Sequence, residues 1–395
     1  MRQNLIAASL MAVFCATPVM ANDSTDELRQ VIEEQKKVLE ALEKRLEQTE
    51  QRLELAADAV DQANTTSSKS DTTIGGYGEL HYNNITNNYT DEKTREVDFH
   101  RFVLFFGHQF TNKTRFFSEV ELEHSLAGEG KKGEVELEQA YVEHDINEQF
   151  TAKGGLFLMP IGILNETHEP TTFYGVERNP VEKDILPTTW WEGGAALNVK
   201  MAPGLALDVA ITSGLNTPLT GSNAFKPRSG RQKVSEANAN DLAYTGRIKY
   251  TAIPGLELAA SLQYQSDLSQ GEVGFDTASA TLFTAHAIYT AQQFSIRALY
   301  AQWDIDGAQA KALGRDKQKG FYIEPAYRFN EEFGIFARYN EWDNNAGDMQ
   351  QTRKSQTNVG VNYWLHENVV IKFDLEKQGG ANDADGFNLG IGYDF

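Results

Sequence analysis

The sequence predicts an all-β transmembrane barrel of sixteen antiparallel strands, preceded by an α-helical coiled-coil segment. Three observations carry this prediction. Between residues 74 and 395, sixteen segments have strand character, many of them ten residues or longer with apolar and polar residues alternating. The connections between them also alternate, short on one side and long on the other. After the N-terminus there is no run of roughly 20 apolar residues, which excludes a bundle of membrane-spanning helices. A soluble sandwich alternates too, but its strands are usually about 5–6 residues long, and nothing makes it segregate its loops by length. Long strands with short turns at one end and long loops at the other suit a tilted crossing of a bilayer.

Residues 1–21 read as a secretory signal peptide: Arg2, the apolar stretch LIAASLMAVFCA, and a small-residue cleavage site at Val19-Met20-Ala21. The single cysteine, Cys15, lies inside it, so the processed chain offers neither disulfides nor thiolate ligands. The chain has 36 basic and 56 acidic residues, a net charge of −20, which argues against nucleic acid as a partner. Residues 22–60 form the predicted coiled coil. Leu28, Ile32, Gln35, Leu39, Leu42, Leu46, Thr49, Leu53, Ala56 and Val60 follow one another in steps of four and three, so one apolar seam faces a partner helix. At about 1.5 Å per residue, the stretch 28–60 would make a rod of roughly 50 Å. Gln35 and Thr49 at inner positions act as register-setting polar residues, so the expectation is a homotrimer assembled through 28–60 and the barrel walls. The polar stretch 61–73, DQANTTSSKSDTT, is a linker, and 74–395 is the barrel.

Within the barrel the faces can be assigned by alternation. Leu256, Leu258, Leu262 and Tyr264 oppose Glu257, Ser261, Gln263 and Gln265; Ile371, Phe373 and Leu375 oppose Lys372, Asp374 and Glu376. The final stretch, FNLGIGYDF, sends Phe387, Leu389, Ile391 and Tyr393 to lipid and Asn388, Gly390, Gly392 and Asp394 inward, and pairs with 74–86 to close the barrel. Short turns such as TNKT (111–114), NEQ (147–149) and APG (202–204) mark one end. An even strand count puts both ends of the barrel domain on that side, and the helix with them. Tyr and Trp near the strand ends suit the headgroup level.

The signal peptide, coiled coil, linker, sixteen strands and terminal YDF together resemble a coiled-coil-bearing outer-membrane porin. With RFVLFFGHQF (101–110) and RFFSEVELEH (115–124), the chain is most similar to the phosphate-selective porin O/P-like group. The resemblance implies the outer membrane of a Gram-negative cell with the helix in the periplasm, lipid around the barrel, a C-terminal aromatic that serves assembly, and a loop folded into the lumen. It also implies anion selectivity through a lumenal basic ladder. The strands show no such ladder clearly, so that ligand is not carried over.

Charge facing lipid costs about 2–4 kcal/mol near mid-membrane, so charged strand residues are assigned to the inside. The hairpin around 127–132 supplies Arg115, Glu119, Glu121 and Glu123 from one strand and Glu134, Glu136 and Glu138 from the next. Basic residues answer from elsewhere: Arg247, Lys249, Arg297, Arg328, Arg338, Lys372 and Arg101. Acid and base on opposite walls would set up a transverse field; the plainer reading is cross-strand pairing that stiffens the barrel, and the two are compatible. Loop 164–189 carries Glu166, His168, Glu169, Glu177, Arg178, Glu182, Lys183 and Asp184 and is stiffened by three prolines. A loop of this length without structure of its own is usually functional. The loop 215–240, richer in Gly, Ser and Asn, reads as a flexible external loop that reaches a neighbouring subunit.

Six of the eight histidines lie near the acidic hairpin, without a compact ligand spacing such as HExxH, so the sequence assigns no metal site and no cofactor. His124-Ser125 is the only adjacent nucleophile–base pair and sits at a strand end, so no enzyme is expected. The expected function is passive diffusion of small hydrophilic solutes or ions, weakly favouring cations because of the glutamate ring. The alternatives are an anion- or phosphate-selective porin, or a structural tether between outer membrane and cell wall.

Overall fold

Alternation along the chain becomes a closed wall. The computed structural model describes residues 71–395. The predicted signal peptide (1–21), coiled coil (22–60) and all but the last three residues of the linker (61–73) lie outside the described residues. The strands are β1 (Thr72–Asn87), β2 (Lys93–Thr111), β3 (Thr114–Glu123), β4 (Val135–Asp145), β5 (Phe150–Leu158), β6 (Trp191–Ala202), β7 (Leu205–Thr212) and β8 (Ala243–Tyr250). They continue as β9 (Leu256–Gln265), β10 (Ser279–Ala291), β11 (Phe294–Asp306), β12 (Lys317–Arg328), β13 (Phe333–Asp343), β14 (Lys354–His366), β15 (Val369–Gly380) and β16 (Ala384–Asp394). Each strand pairs with its sequence neighbours, and β1 pairs with β16 from Tyr77↔Asp394 to Asn87↔Ala384. The N–H of Gly76 donates to the carbonyl of Phe395 at 3.0 Å, and the N–H of Phe395 donates back at 2.9 Å.

The expected sixteen strands are therefore all present, with ends that differ for local reasons. β5 stops at Leu158 rather than 163 because Met159-Pro160 follows and proline has no N–H for the ladder. β3 stops at Glu123 because His124 and Ser125 turn into the left-handed region, each with φ 51°.

The two faces separate as alternation requires. Leu258, Leu262, Tyr264, Ile323, Ile335, Val359, Ile371, Leu375 and Leu389 are exposed on the outer surface, while Ser261, Gln263, Asn358, Asn362, Asp374 and Asn388 are buried inside. The interior is not polar throughout. The loops 159–190 and 213–242 both fold inward and build an apolar core. Met159, Ile161, Leu164, Phe173, Ile185 and Trp190 from the first, with Leu215, Leu219 and Phe225 from the second, pack on Leu282, Leu299, Trp303, Ile305, Tyr322 and Trp342 of β10–β13. At about 1.5–3 kcal/mol for each fully buried large side chain, this core fixes both loops. The expectation of a flexible external loop at 215–240 is thus corrected. Its apolar residues follow neither helical nor strand spacing, and its Gly/Ser/Asn background hid them.

Candidate functional site

The loop 159–190 is held across the lumen by wall side chains. Glu182 is fully buried and accepts the N–H groups of Ile163 (2.8 Å) and Leu164 (2.7 Å) and the Tyr322 hydroxyl (2.8 Å). The indole of Trp303 donates to the Ile185 carbonyl at 2.9 Å, and Arg297 donates to that of Thr172 at 2.7 Å. Arg338 reaches the carbonyls of Tyr174 (3.2 Å) and Glu177 (3.1 Å) while pairing with Glu324 at 3.3 Å. Asp374 accepts the Val176 N–H at 2.8 Å, and Arg247 bridges Glu166 and Asp208. Small wall residues make the close approach possible: a Cβ on Gly392 would stand 2.3 Å from the Pro170 Cβ.

The second loop locks onto the first. Arg228 donates to the carbonyls of Lys183 (3.1 Å) and Thr188 (2.8 Å), and Arg231 donates to that of Thr189. Lys233 pairs with Glu134 at 2.6 Å and with Glu136. Between these loops and the inner wall of β1–β4 lies a cavity of about 290 Å³. The wall contributes Glu79, His81, His100, Arg101, Glu121 and Glu138; the loops contribute Glu177, Arg178, Lys183, Arg228, Arg231 and Lys233. A second cavity of about 470 Å³ shares His100, His124, Glu177, Arg178 and Lys183 with it and continues to Thr94 and Asn382 near the long-loop rim.

Most wall carboxylates have cationic or imidazole partners. Arg101 lies 2.7 Å from Glu79 and 3.6 Å from Glu121; His168 lies 3.3 Å from Glu119 and 3.7 Å from Glu138. Burial works against the Glu177 charge, but His81 at 3.0 Å outweighs it and holds the carboxyl well below the usual carboxylate range. Burial and the neighbouring Arg231 pull Arg228 down to about 10, which leaves it charged at neutral pH.

Of the residues singled out from the sequence, Glu121, Glu123, Glu136, Glu138, Glu177, Arg178 and Lys183 border the smaller cavity, and Asp184 borders the larger. Glu119 sits behind, bound to His168, and Glu134 lies outside β4, against Lys233. The others are elsewhere. Arg115 pairs with Glu143 and Asp145 at the short-turn end, and Arg328 is exposed there, its guanidinium 4.1 Å over the Trp364 ring. Arg247, Arg297 and Arg338 anchor the loop, with Lys249 half-buried on the same face of β8 as Arg247. Arg228 and Arg231 were not foreseen because their loop read as external. His100 was not placed because a bulge in β2 changes which residues face inward: Glu79 faces Arg101 and Leu80 faces Phe99.

A family model described as phosphate-selective porin O and P matches residues 73–379. The chain belongs to that family. An uncharacterized protein of Aquifex aeolicus (strain VF5) is 30% identical to this porin, with 78% of this chain and 76% of that protein covered. Among solved structures, the fold resembles that of an anion-selective porin from Comamonas acidovorans (11% identical, TM-score 0.58, covering 82% of this chain and 99% of the other). It also resembles Salmonella typhi OmpF in complex with daunomycin (13%, TM-score 0.58, 82% and 97%). The trimer form of Vibrio cholerae OmpT is similar as well (11%, TM-score 0.55, 82% and 99%). Family and fold make this an outer-membrane porin channel.

Proposed function

We propose that this porin passes small hydrophilic solutes by diffusion through the gap between the β1–β4 wall and the two inward loops, with a preference for anions. One observation carries the sign. Arg178, Arg228 and Arg231 are held by neutral groups: the Thr189 hydroxyl and the carbonyls of His168, Lys183, Thr188 and Thr189. Among the described residues no ion pair cancels their charges, and Nε of Arg178 and of Arg231 has no hydrogen-bond partner. Of the glutamates facing them, Glu79 and Glu121 lie 2.7 and 3.6 Å from Arg101, Glu138 lies 3.7 Å from His168, and Glu136 pairs with Lys233. In a narrow, low-dielectric gap the unpaired sign dominates the field. The weak cation preference expected from a count of glutamates thus gives way to the anion alternative, in keeping with the family's description.

Reversal potentials of the purified protein in a planar bilayer under a KCl gradient test this. The expected result is anion selectivity, moved toward cations in R228Q/R231Q; cation selectivity in the unaltered protein would overturn it. A homotrimer is part of the proposal, on the fold's likeness to a porin solved as a trimer, and its mark is conductance that appears in steps of three.

A further inference from the structure

Two local departures from regular strand geometry bring imidazoles to one place on the inner wall. In β2 the register shift opposite Glu79 and Leu80 leaves His100 as an inserted residue, so that His100 and Arg101, adjacent in sequence, both face the lumen. His124 follows Glu123, the inward residue at the end of β3, and strict alternation would send it to lipid. Its φ of 51° turns the ring back inside, in a conformation that histidine adopts more readily than most residues. Asp98, two residues before His100, receives both rings: its oxygens lie 2.8 and 2.9 Å from Nδ1 of His124, and one lies 3.1 Å from Nδ1 of His100.

We propose that Asp98, His100 and His124 form a binding site for a divalent transition-metal ion such as zinc, beside the permeation path. One ligand atom from each lies within 4.8 Å of the other two. Metal–ligand bonds of about 2.0–2.1 Å in tetrahedral geometry set neighbouring ligand atoms roughly 3.3 Å apart, so closing the site takes only a small movement of the two rings. Two imidazole nitrogens and one carboxylate oxygen suit zinc, nickel or copper; magnesium and calcium select all-oxygen shells. The side chains of Asp98, His100 and His124 are 24%, 28% and 32% exposed, which leaves the fourth position to lumenal water. The His100 ring is held in place from behind. His81 stacks on it with centroids 4.8 Å apart and is itself pinned by Glu79 at 3.1 Å and Glu177 at 3.0 Å. The N–H of His124 donates to the His100 carbonyl at 3.1 Å, which ties the two ligand-bearing segments together.

The test is calorimetric titration of zinc chloride into the folded, full-length protein in detergent, with magnesium chloride as control and H124A and D98N as variants. The expected result is one zinc ion per chain, binding weakened by at least about tenfold in either variant, and no magnesium binding. No zinc binding by the unaltered protein, equal binding by it and both variants, or equal affinity for magnesium would overturn the proposal. Heat-modifiable gel mobility checks that each barrel is folded; should H124A fail to fold, D98N carries the comparison. The titration reads binding and the KCl gradient reads selectivity, so failure of one proposal leaves the other standing.

Discussion

Gly392 and Gly390 on β16 show how much one hydrogen atom in place of a methyl group decides. A Cβ at Gly392 would stand 2.3 Å from the Pro170 Cβ, and one at Gly390 would stand 3.0 Å from Val176 Cγ1. The loop lies against bare backbone there, so G392A forces either loop or strand to move. Overpacking of this kind costs about 1–3 kcal/mol. The expected outcome for G392A is a lower urea midpoint in detergent together with an altered single-channel conductance; an unchanged conductance would show that the loop does not border the path. Alternation alone assigned both glycines to the inside, and the structure agrees, but their reason for being glycine was not legible. That reason lies in a loop more than 200 positions away in the chain, and a single sequence carries no sign of the contact.

Among the elements, the loop 159–190 depends most on one buried carboxylate. Glu182 serves two backbone N–H groups, a tyrosine hydroxyl and the Asn179 side-chain amide, so E182A would strand four buried donors at about 1–3 kcal/mol each. The expected result is a loop that leaves its seat: noisier, larger conductance in planar bilayers with the barrel still folded by heat-modifiable mobility. Strand positions were readable because lipid on one side and polar side chains on the other impose a two-residue period on every strand. The constriction was only half readable. Glu121, Glu136 and Glu138 follow the period and were found; His100 and His124 break it, through a bulge and a left-handed residue, and were not placed. Arg228 and Arg231 were missed for a different reason, since an aperiodic Gly/Ser-rich loop looks the same whether it ends in solvent or in a core.

For the whole molecule, the apolar core between the loops and β10–β13 means that strand number overstates the open cross-section. The conductance of one channel is therefore expected to fall well below that of an unobstructed sixteen-strand barrel, which single-channel recording in KCl checks. Deleting residues 22–70 separates the channel reading from the tether reading: conductance should persist with the barrel alone, whereas a tether would lose its envelope phenotype. The seam described above also bears on folding. Gly76 and Phe395 exchange hydrogen bonds across more than 300 residues of chain, a contact of very high order. Until β16 arrives, β1 presents an unpaired edge to whatever strand is near. Closure thus has to wait for β16, and a chain cut before it would be left as an open, aggregation-prone sheet rather than a slightly smaller pore.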